Sequence, residues 1–460
     1  MSTKDCFQEG QATVLPFKDG EGQYPSLSEI YSANHPPKLP GKLPKLVSTV
    51  TSQTPFQYKE TVAQGMFPPL AIYPKKLSFN YLDNQPRELR ISTLTIGNTG
   101  DGKDACFRQP LSHILADAKR LDEVNRQRLA DFNKAFTNTP ANALKPQRPE
   151  DLIIQIINSN ITQAALVQRM DEAQGAPLYT KMNELEQWEQ IEGATGKNNQ
   201  FTTMKLADDE NNDFGADRAG TQSVTASGNL FLNWNANTTI SKAIRFFKNV
   251  LTDGPISRLC LAFVPPSEIG SDIPKFGKYD YKYDAKLRPF IENLKKATGT
   301  ITCKKALQMV ESLKKECDDF SILTQDRVFD NLTHRALVHA FRKGCLLYAA
   351  NGMKWESSIY DFCRWSLHYD LWLKMKLFGD AIKKEDAGVE VSKRGPQSLL
   401  DEIATDDKGV FSIDALVKVR KQKGMREDGT RKLLSKWKSR GYIRQLSDDT
   451  FQKIQPEDKK

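Results

Sequence analysis

The residues best spaced to do chemistry lie in Leu94–Cys106, "LTIGNTGDGKDAC". Gly97, four intervening residues, Gly102 and Lys103 give the spacing of a loop that wraps phosphate. In such a loop the glycines permit a tight turn, and the lysine reaches the outer phosphates. The backbone of Gly97, Asn98, Thr99, Gly100, Asp101, Gly102, Lys103 and Asp104 would supply inward-facing N–H groups, with a helix N-terminus behind them. The position after Gly-Lys is usually a hydroxyl that serves as a neutral ligand for Mg²⁺. Here it is Asp104.

A second group of residues must complete such a site. In "PLYTKMNELEQW", Asn183 stands where a metal-binding aspartate is expected at the end of the third strand, and Glu184 follows it. One reading is an exchange, in which the carboxylate has moved to Asp104 and the amide to Asn183, leaving the charge around the metal unchanged. The other is a degenerate site that binds nucleotide poorly and hydrolyses none. Glu184 is the candidate general base for an attacking water, and Glu186 is a poorer choice because it falls beyond the expected strand end. The alternative for both is a solvated acid on a turn. In "LFLNWNANTT", Asn233, Asn235 and Asn237 crowd a strand end; Asn235 is the amide chosen to bond a γ-phosphate or the water, against a turn-forming role. Arg258, after the Gly-Pro of "TDGPISRL", is read as an arginine finger acting on a neighbouring subunit, with a surface salt bridge as the alternative. The finger requires an oligomer.

These residues need a scaffold. "ELRISTLTIG" reads as a β-branched strand running into the glycine turn, and the charged segment after it as helix. "DLIIQIINSN", "PLYTKMNE", "NLFLNWNANTT" and "SRLCLAFVP" read as further strands separated by helices, the pattern of a parallel sheet covered on both faces. The organisation expected is a flexible segment over 1–45, an α/β core over 46–290, a helical segment over 291–384 and a small unit over 396–455. "FGKYDYKYDAKLRP" (276–289) reads as a lid or loop.

Bulk composition narrows the class. A chain of 460 residues with 27 % charged residues and no run of 18 apolar ones predicts no membrane span. Its polar N-terminus is unlike a signal peptide. Seven scattered cysteines with no C-x-x-C pair argue against a disulfide framework and for a reducing cytoplasm. Five histidines without H-E-x-x-H spacing argue against a protein-bound catalytic metal of that kind. The net charge is +9, and Lys418–Arg444 alone carries eleven Lys or Arg against two acids, the same net excess.

That excess falls in a unit reading as helix, short strand, helix, turn, helix and hairpin, with Ser412 as an N-cap and Gly441 ending the third helix. Leu433, Leu434 and Trp437 share one face of this helix, while Arg431, Lys432, Lys436 and Lys438 project elsewhere. The order is that of a winged helix-turn-helix, which makes these four residues and Arg444 of the hairpin the candidate DNA contacts. A winged helix that contacts protein is the alternative.

Taken together, the chain resembles a family of P-loop ATPases from bacterial plasmids, phages and mobilizable elements, known as a domain of unknown function and often fused to primase-type domains. The likeness runs from "LVSTVTSQTPFQYKETVAQGMFPPLAIY" through "LSFNYLDNQPRELRISTLTIGNTGDGK", "SNITQAALVQRM", "PLYTKMNELEQW" and "DGPISRL" into the helical segment. Asp104 and Asn183 are its departures. The resemblance implies a RecA/AAA+-like P-loop fold related to superfamily-3 helicases, ATP and Mg²⁺ as cofactors, and ATP-driven DNA unwinding. It also implies a homo-oligomer, with a hexameric ring as one form, and primase or other replication proteins as partners. The rival expectations are a non-hydrolysing nucleotide-dependent DNA-binding switch and a helicase loader.

Overall fold

Leu94 and Ile96 carry the inner face of a strand whose every residue is buried, which is what a β-branched run in the middle of a parallel sheet requires. The computed structural model describes residues 24–140, 142–190, 199–216, 226–252, 254–386, 399–400, 402–422, 427–439 and 441–454. Residues 1–382 form one compact unit and 383–460 a second.

In the first unit, β1 (Leu77–Asn80) and β2 (Pro86–Glu88) form a hairpin leading into β3 (Ser92–Ile96). β4 (Leu178–Met182) follows two helices, Lys103–Ile114 and Ala116–Asn138, and a third, Gln163–Ala173. A short antiparallel pair, β5 (Phe214–Ala216) and β6 (Ala226–Gly228), precedes β7 (Leu232–Thr238) and β8 (Cys260–Phe263). The central sheet has the order β4-β7-β3-β8 and is parallel throughout. The molecule is therefore a mixed α/β fold, as expected.

Both edges of this sheet are covered. On β8, the Leu261 N–H donates to Asp370 at 2.7 Å and the Phe263 N–H to the Tyr369 hydroxyl at 3.3 Å, both from the Ser358–Lys374 helix. These side chains take ladder groups that would otherwise be open to another strand. Beyond β4, "DLIIQIINSN" gives a single parallel bridge, Ile156 to Tyr179, rather than the strand expected. The Gln155 and Ile156 N–H groups turn instead to the Asp122 carboxylate at 3.0 and 2.7 Å, so the segment is held by a helix as much as by the sheet.

Three other expectations change. Residues 24–45 belong to the packed unit. The Leu27–Ser32 helix has a capping box between Ser26 and Glu29, buries Leu27 and Ile30, and sets Tyr31 against Phe320 and Phe329. Residues 1–23 lie outside the described residues. The loop read over 276–289 ends early, because Asp280 caps a helix, Tyr281–Lys296, that runs through Pro289. The helical segment is not a separate unit: its short strand β9 (Gly299–Ile301) pairs in parallel with β1.

In the second unit, β10 (Val410–Ser412), β11 (Ile443–Gln445) and β12 (Thr450–Lys453) form an antiparallel sheet in the order β10-β12-β11. Two helices, Ile413–Gln422 and Thr430–Ser439, pack on it through Leu416, Leu434 and Trp437. The Ser412 hydroxyl accepts from the Ala415 N–H at 3.3 Å. Gly441 takes the left-handed conformation, with φ of 70°, and the Tyr442 N–H closes back onto the Trp437 carbonyl at 2.9 Å. Both caps are those expected from the residue types.

Candidate functional site

Gly97 follows β3 directly, and the loop reaches the Lys103–Ile114 helix at Lys103. Two glycines matter here to different degrees, Gly97 through a tight approach and Gly102 through its backbone conformation. A Cβ on Gly97 would lie 3.1 Å from Val264, and one on Gly102, whose φ is 83°, would lie 2.3 Å from the Tyr58 hydroxyl. Gly100 has φ of 92° and open space above it. Asn98, Thr99 and Gly100 are exposed. Among the described residues, the N–H groups of Gly100, Gly102, Lys103 and Asp104 donate to no protein acceptor. They form the row of unclaimed donors that an anion needs at a helix start.

Lys103 folds back onto its own loop, where Nζ donates to the Gly97 carbonyl at 3.2 Å and to the Asn98 carbonyl. Asp101 takes a different part from the phosphate contact expected of it. Its carboxylate accepts from the Asn98 N–H at 2.9 Å and the Ser267 N–H at 3.4 Å, and its carbonyl accepts from the Tyr58 hydroxyl at 3.1 Å. It is a brace, turned away from the open side and only 8 % exposed.

The strand register brings the other residues to the same edge. Ile96 pairs with Thr238, and Met182 with Ala236. Asn183 and Glu184 therefore leave the sheet beside the end of β7, two strands away from the loop, which is roughly 10 Å across a sheet. Among the amides, Asn237 stands at this edge and donates to Asp104 Oδ1 at 2.6 Å. Asn235, the residue chosen from the sequence, sits one pleat deeper. It is 2 % exposed, accepts from the Tyr179 hydroxyl at 2.9 Å and donates to the Gly65 carbonyl at 2.9 Å, so both ends of its amide are occupied in the core. Asn233 is likewise internal, accepting from the Ile91 N–H at 2.7 Å.

Asp104 has a second neighbour that sequence reasoning missed. Lys181 Nζ lies 3.7 Å from its Oδ1, so an ammonium and an amide both face this carboxylate. The available signal was period two: Lys181 precedes Asn183 by two residues and shares its side of β4. Asn183 itself is exposed, and its N–H and that of Glu184 both donate to the Gln187 side chain, at 2.7 and 3.2 Å. Among the described residues no cluster of three or more metal-ligating His, Cys, Asp or Glu occurs. Mg²⁺ needs none, because it binds through one or two protein oxygens together with phosphates and water. Asp104 and Asn183 both carry oxygens of that type, although Asp104 Oδ1 already accepts from Asn237 and faces Lys181.

Glu184 and Glu186 share one cation. Lys242, near the start of the Ile240–Phe247 helix, reaches them at 3.0 and 3.1 Å. Its pKa is raised by the hydrogen bond to Glu184 first and to Glu186 second. Glu184 is therefore on the correct edge for a base but held by a lysine rather than aimed at the loop.

Arg258 lies before β8, at the opposite edge of the sheet from the loop. It makes a two-pronged contact with Asp209, at 3.2 and 3.1 Å, and donates to the Gly254 carbonyl at 3.2 Å. The salt-bridge alternative describes it within this chain. In the second unit Arg431, Lys432, Lys436, Lys438 and Arg444 are all exposed. Lys438 donates to Gln445 and Arg444 to Gln452, each at 2.8 Å.

No helix among the described residues is long and apolar enough to cross a membrane. A scan against protein-family models matches none of them, and a search of curated proteins finds no match.

Proposed function

We propose that this protein is an ATP-dependent DNA helicase or translocase that serves the replication of a mobile element, plasmid or phage. One observation carries the reading: the open amides of the Gly97–Lys103 loop and the acidic turn at Asn183–Glu184 occupy the same edge of one parallel sheet, with a single strand between them. That is the arrangement a triphosphate and an attacking water need. The loop amides and Lys103 would hold the phosphates, and Asp104 and Asn183 would hold Mg²⁺, which when bound offsets phosphate charge. In this reading Asn237, which now donates to Asp104, rather than the internal Asn235, would orient the γ-phosphate end. Glu184 would take the water's proton once Lys242 is displaced from it. Arg258, at the far edge, would serve a neighbouring subunit in a homo-oligomer such as a hexameric ring. The second unit reads as a winged helix-turn-helix whose Thr430–Ser439 helix approaches DNA, with primase or other replication proteins as further partners.

A second reading has its own support. Lys181 and Asn237 occupy Asp104, and Lys242 occupies Glu184, a pattern that suits a nucleotide-binding switch with little turnover. A loader that hydrolyses ATP without separating strands is the third. The deciding experiment is ATP hydrolysis by wild type and Lys103→Ala, with and without single-stranded DNA. A translocase gives DNA-stimulated turnover that the substitution lowers by at least about 10²-fold, the scale of losing one preorganised contact to developing charge. Nucleotide binding without Lys103-dependent turnover would replace the motor with the switch.

A further inference from the structure

We propose that a cleft beside the Lys103–Ile114 helix is a second site for a nucleoside phosphate, taken as a free nucleotide or as a unit of a single strand. The cleft has a volume of about 660 Å³ and is distinct from the loop, being walled by the side of that helix rather than its N-terminus. The size falls within the range of sites that enclose small ligands.

Its lining has the chemistry such a ligand needs. Arg108, Lys119 and Lys181 supply three cations, and no carboxylate lines the cleft. Lys181 is shared with Asp104, but Arg108 and Lys119 are exposed and have no ion-pair partner among the described residues. Between them, Leu111 and Leu115 floor the cleft at helical spacing, each only 4 % exposed, so the edge of a base or sugar would meet them. Asn158 and Asn160 also line the cleft with amides that donate and accept, as the edge of a base does, the Asn160 oxygen taking a 3.4 Å hydrogen bond from Gln187. Arg108 and Lys119 are eleven residues apart along nearly continuous helix, roughly 16 Å at helical rise, so a phosphate at either end leaves the base over the leucines. A plain anion would not need the apolar floor, and an apolar ligand would not need three cations.

The site is tested by photocrosslinking on the full chain, followed by peptide mapping, with two probes: 8-azidoadenosine monophosphate and a 5′-phosphorylated thymidine oligonucleotide carrying 4-thiothymidine. The expected label falls within residues 107–119 and 156–160, persists in Lys103→Ala, and drops at least about tenfold in the double variant Arg108→Glu/Lys119→Glu. The milder pair Arg108→Gln/Lys119→Gln, with an unchanged melting temperature, guards against a folding defect. Label from the mononucleotide assigns a free nucleotide; label from the oligonucleotide alone assigns a strand. Label confined to the glycine loop and the second unit, or cleft label indifferent to both charge variants, overturns the proposal. The fate of the loop is read separately, from hydrolysis by Lys103→Ala, so the two ideas fail independently.

Discussion

Asn235 donates to the Gly65 carbonyl and accepts from Tyr179, so removing its side chain strands two buried groups. Each such orphan costs about 1–3 kcal/mol. Asn237 is also buried, at 3 % exposed, but among the described residues the hydrogen bond of its side chain goes to Asp104, which is exposed. Asn235→Ala is therefore expected to lower the melting temperature clearly, with any loss of turnover following from instability. Asn237→Ala, which leaves only the exposed Asp104 without a partner, is expected to lower the melting temperature less than Asn235→Ala and to lower ATP turnover by about 10²-fold. Thermal melting beside steady-state hydrolysis separates the two, and the reverse pattern would return Asn235 to the site. The residue types at this edge were legible because glycine spacing, a following lysine and clustered amides are local signals. Which amide reaches the edge was not, because it depends on where β7 ends relative to β3. Lys181 beside Asp104 was hidden for the same reason, since it becomes a neighbour only through the order of strands.

At the scale of elements, the helices Lys304–Thr324 and Ser358–Lys374 are joined by Glu316, which takes the Arg364 guanidinium on both oxygens and lies 3.7 Å from His368. Burial alone would raise the Glu316 pKa, but His368 and Arg364 outweigh it and hold the carboxyl at about 2. A depressed carboxylate contributes stability above its unfolded pKa of about 4.3 and loses it as pH falls through the folded value. The contribution is on the order of 3 kcal/mol. Glu316→Gln is thus expected to melt well below wild type at pH 7, with the gap narrowing as pH falls from about 4.5 toward 2. A gap of constant size across a pH series of melting curves would remove Glu316 from this role.

The elements themselves were legible where periodicity was strong. The strand, glycine turn and helix from Ser92 to Ile114 follow from a β-branched run and a helix start. The reading weakened where a side chain from elsewhere decides the outcome. Asp122 reduces "DLIIQIINSN" to one bridge by taking two of its amides, and β9 is only three residues, too short to interrupt a helical pattern by eye. The segment around Leu27–Ser32 looked unstructured from its Pro- and Gly-rich surroundings. It is fixed by Tyr31 meeting aromatic residues some three hundred positions later.

At the scale of the whole molecule, the two units have separate cores. On the proposed role, Arg431, Lys432 and Lys436 meet DNA phosphates, and each contact releases counterions. Their joint replacement by alanine is expected to reduce the slope of log affinity against log salt by roughly 3, leaving DNA-independent hydrolysis unchanged. DNA titrations across a salt series measure this, and an intact slope would favour a protein partner for this unit. The long reach of Tyr31 has another consequence, for how the chain is made. Tyr31 hydrogen-bonds His368 across 337 positions, and β1 bonds β9 across 222. At about 5–20 residues per second of synthesis, β1 waits roughly 10–45 s for its mate, and the first helix longer still. Over that interval a ribosome-bound intermediate carries an unfinished sheet margin and bare aromatic side chains, making it a natural client for chaperones during translation.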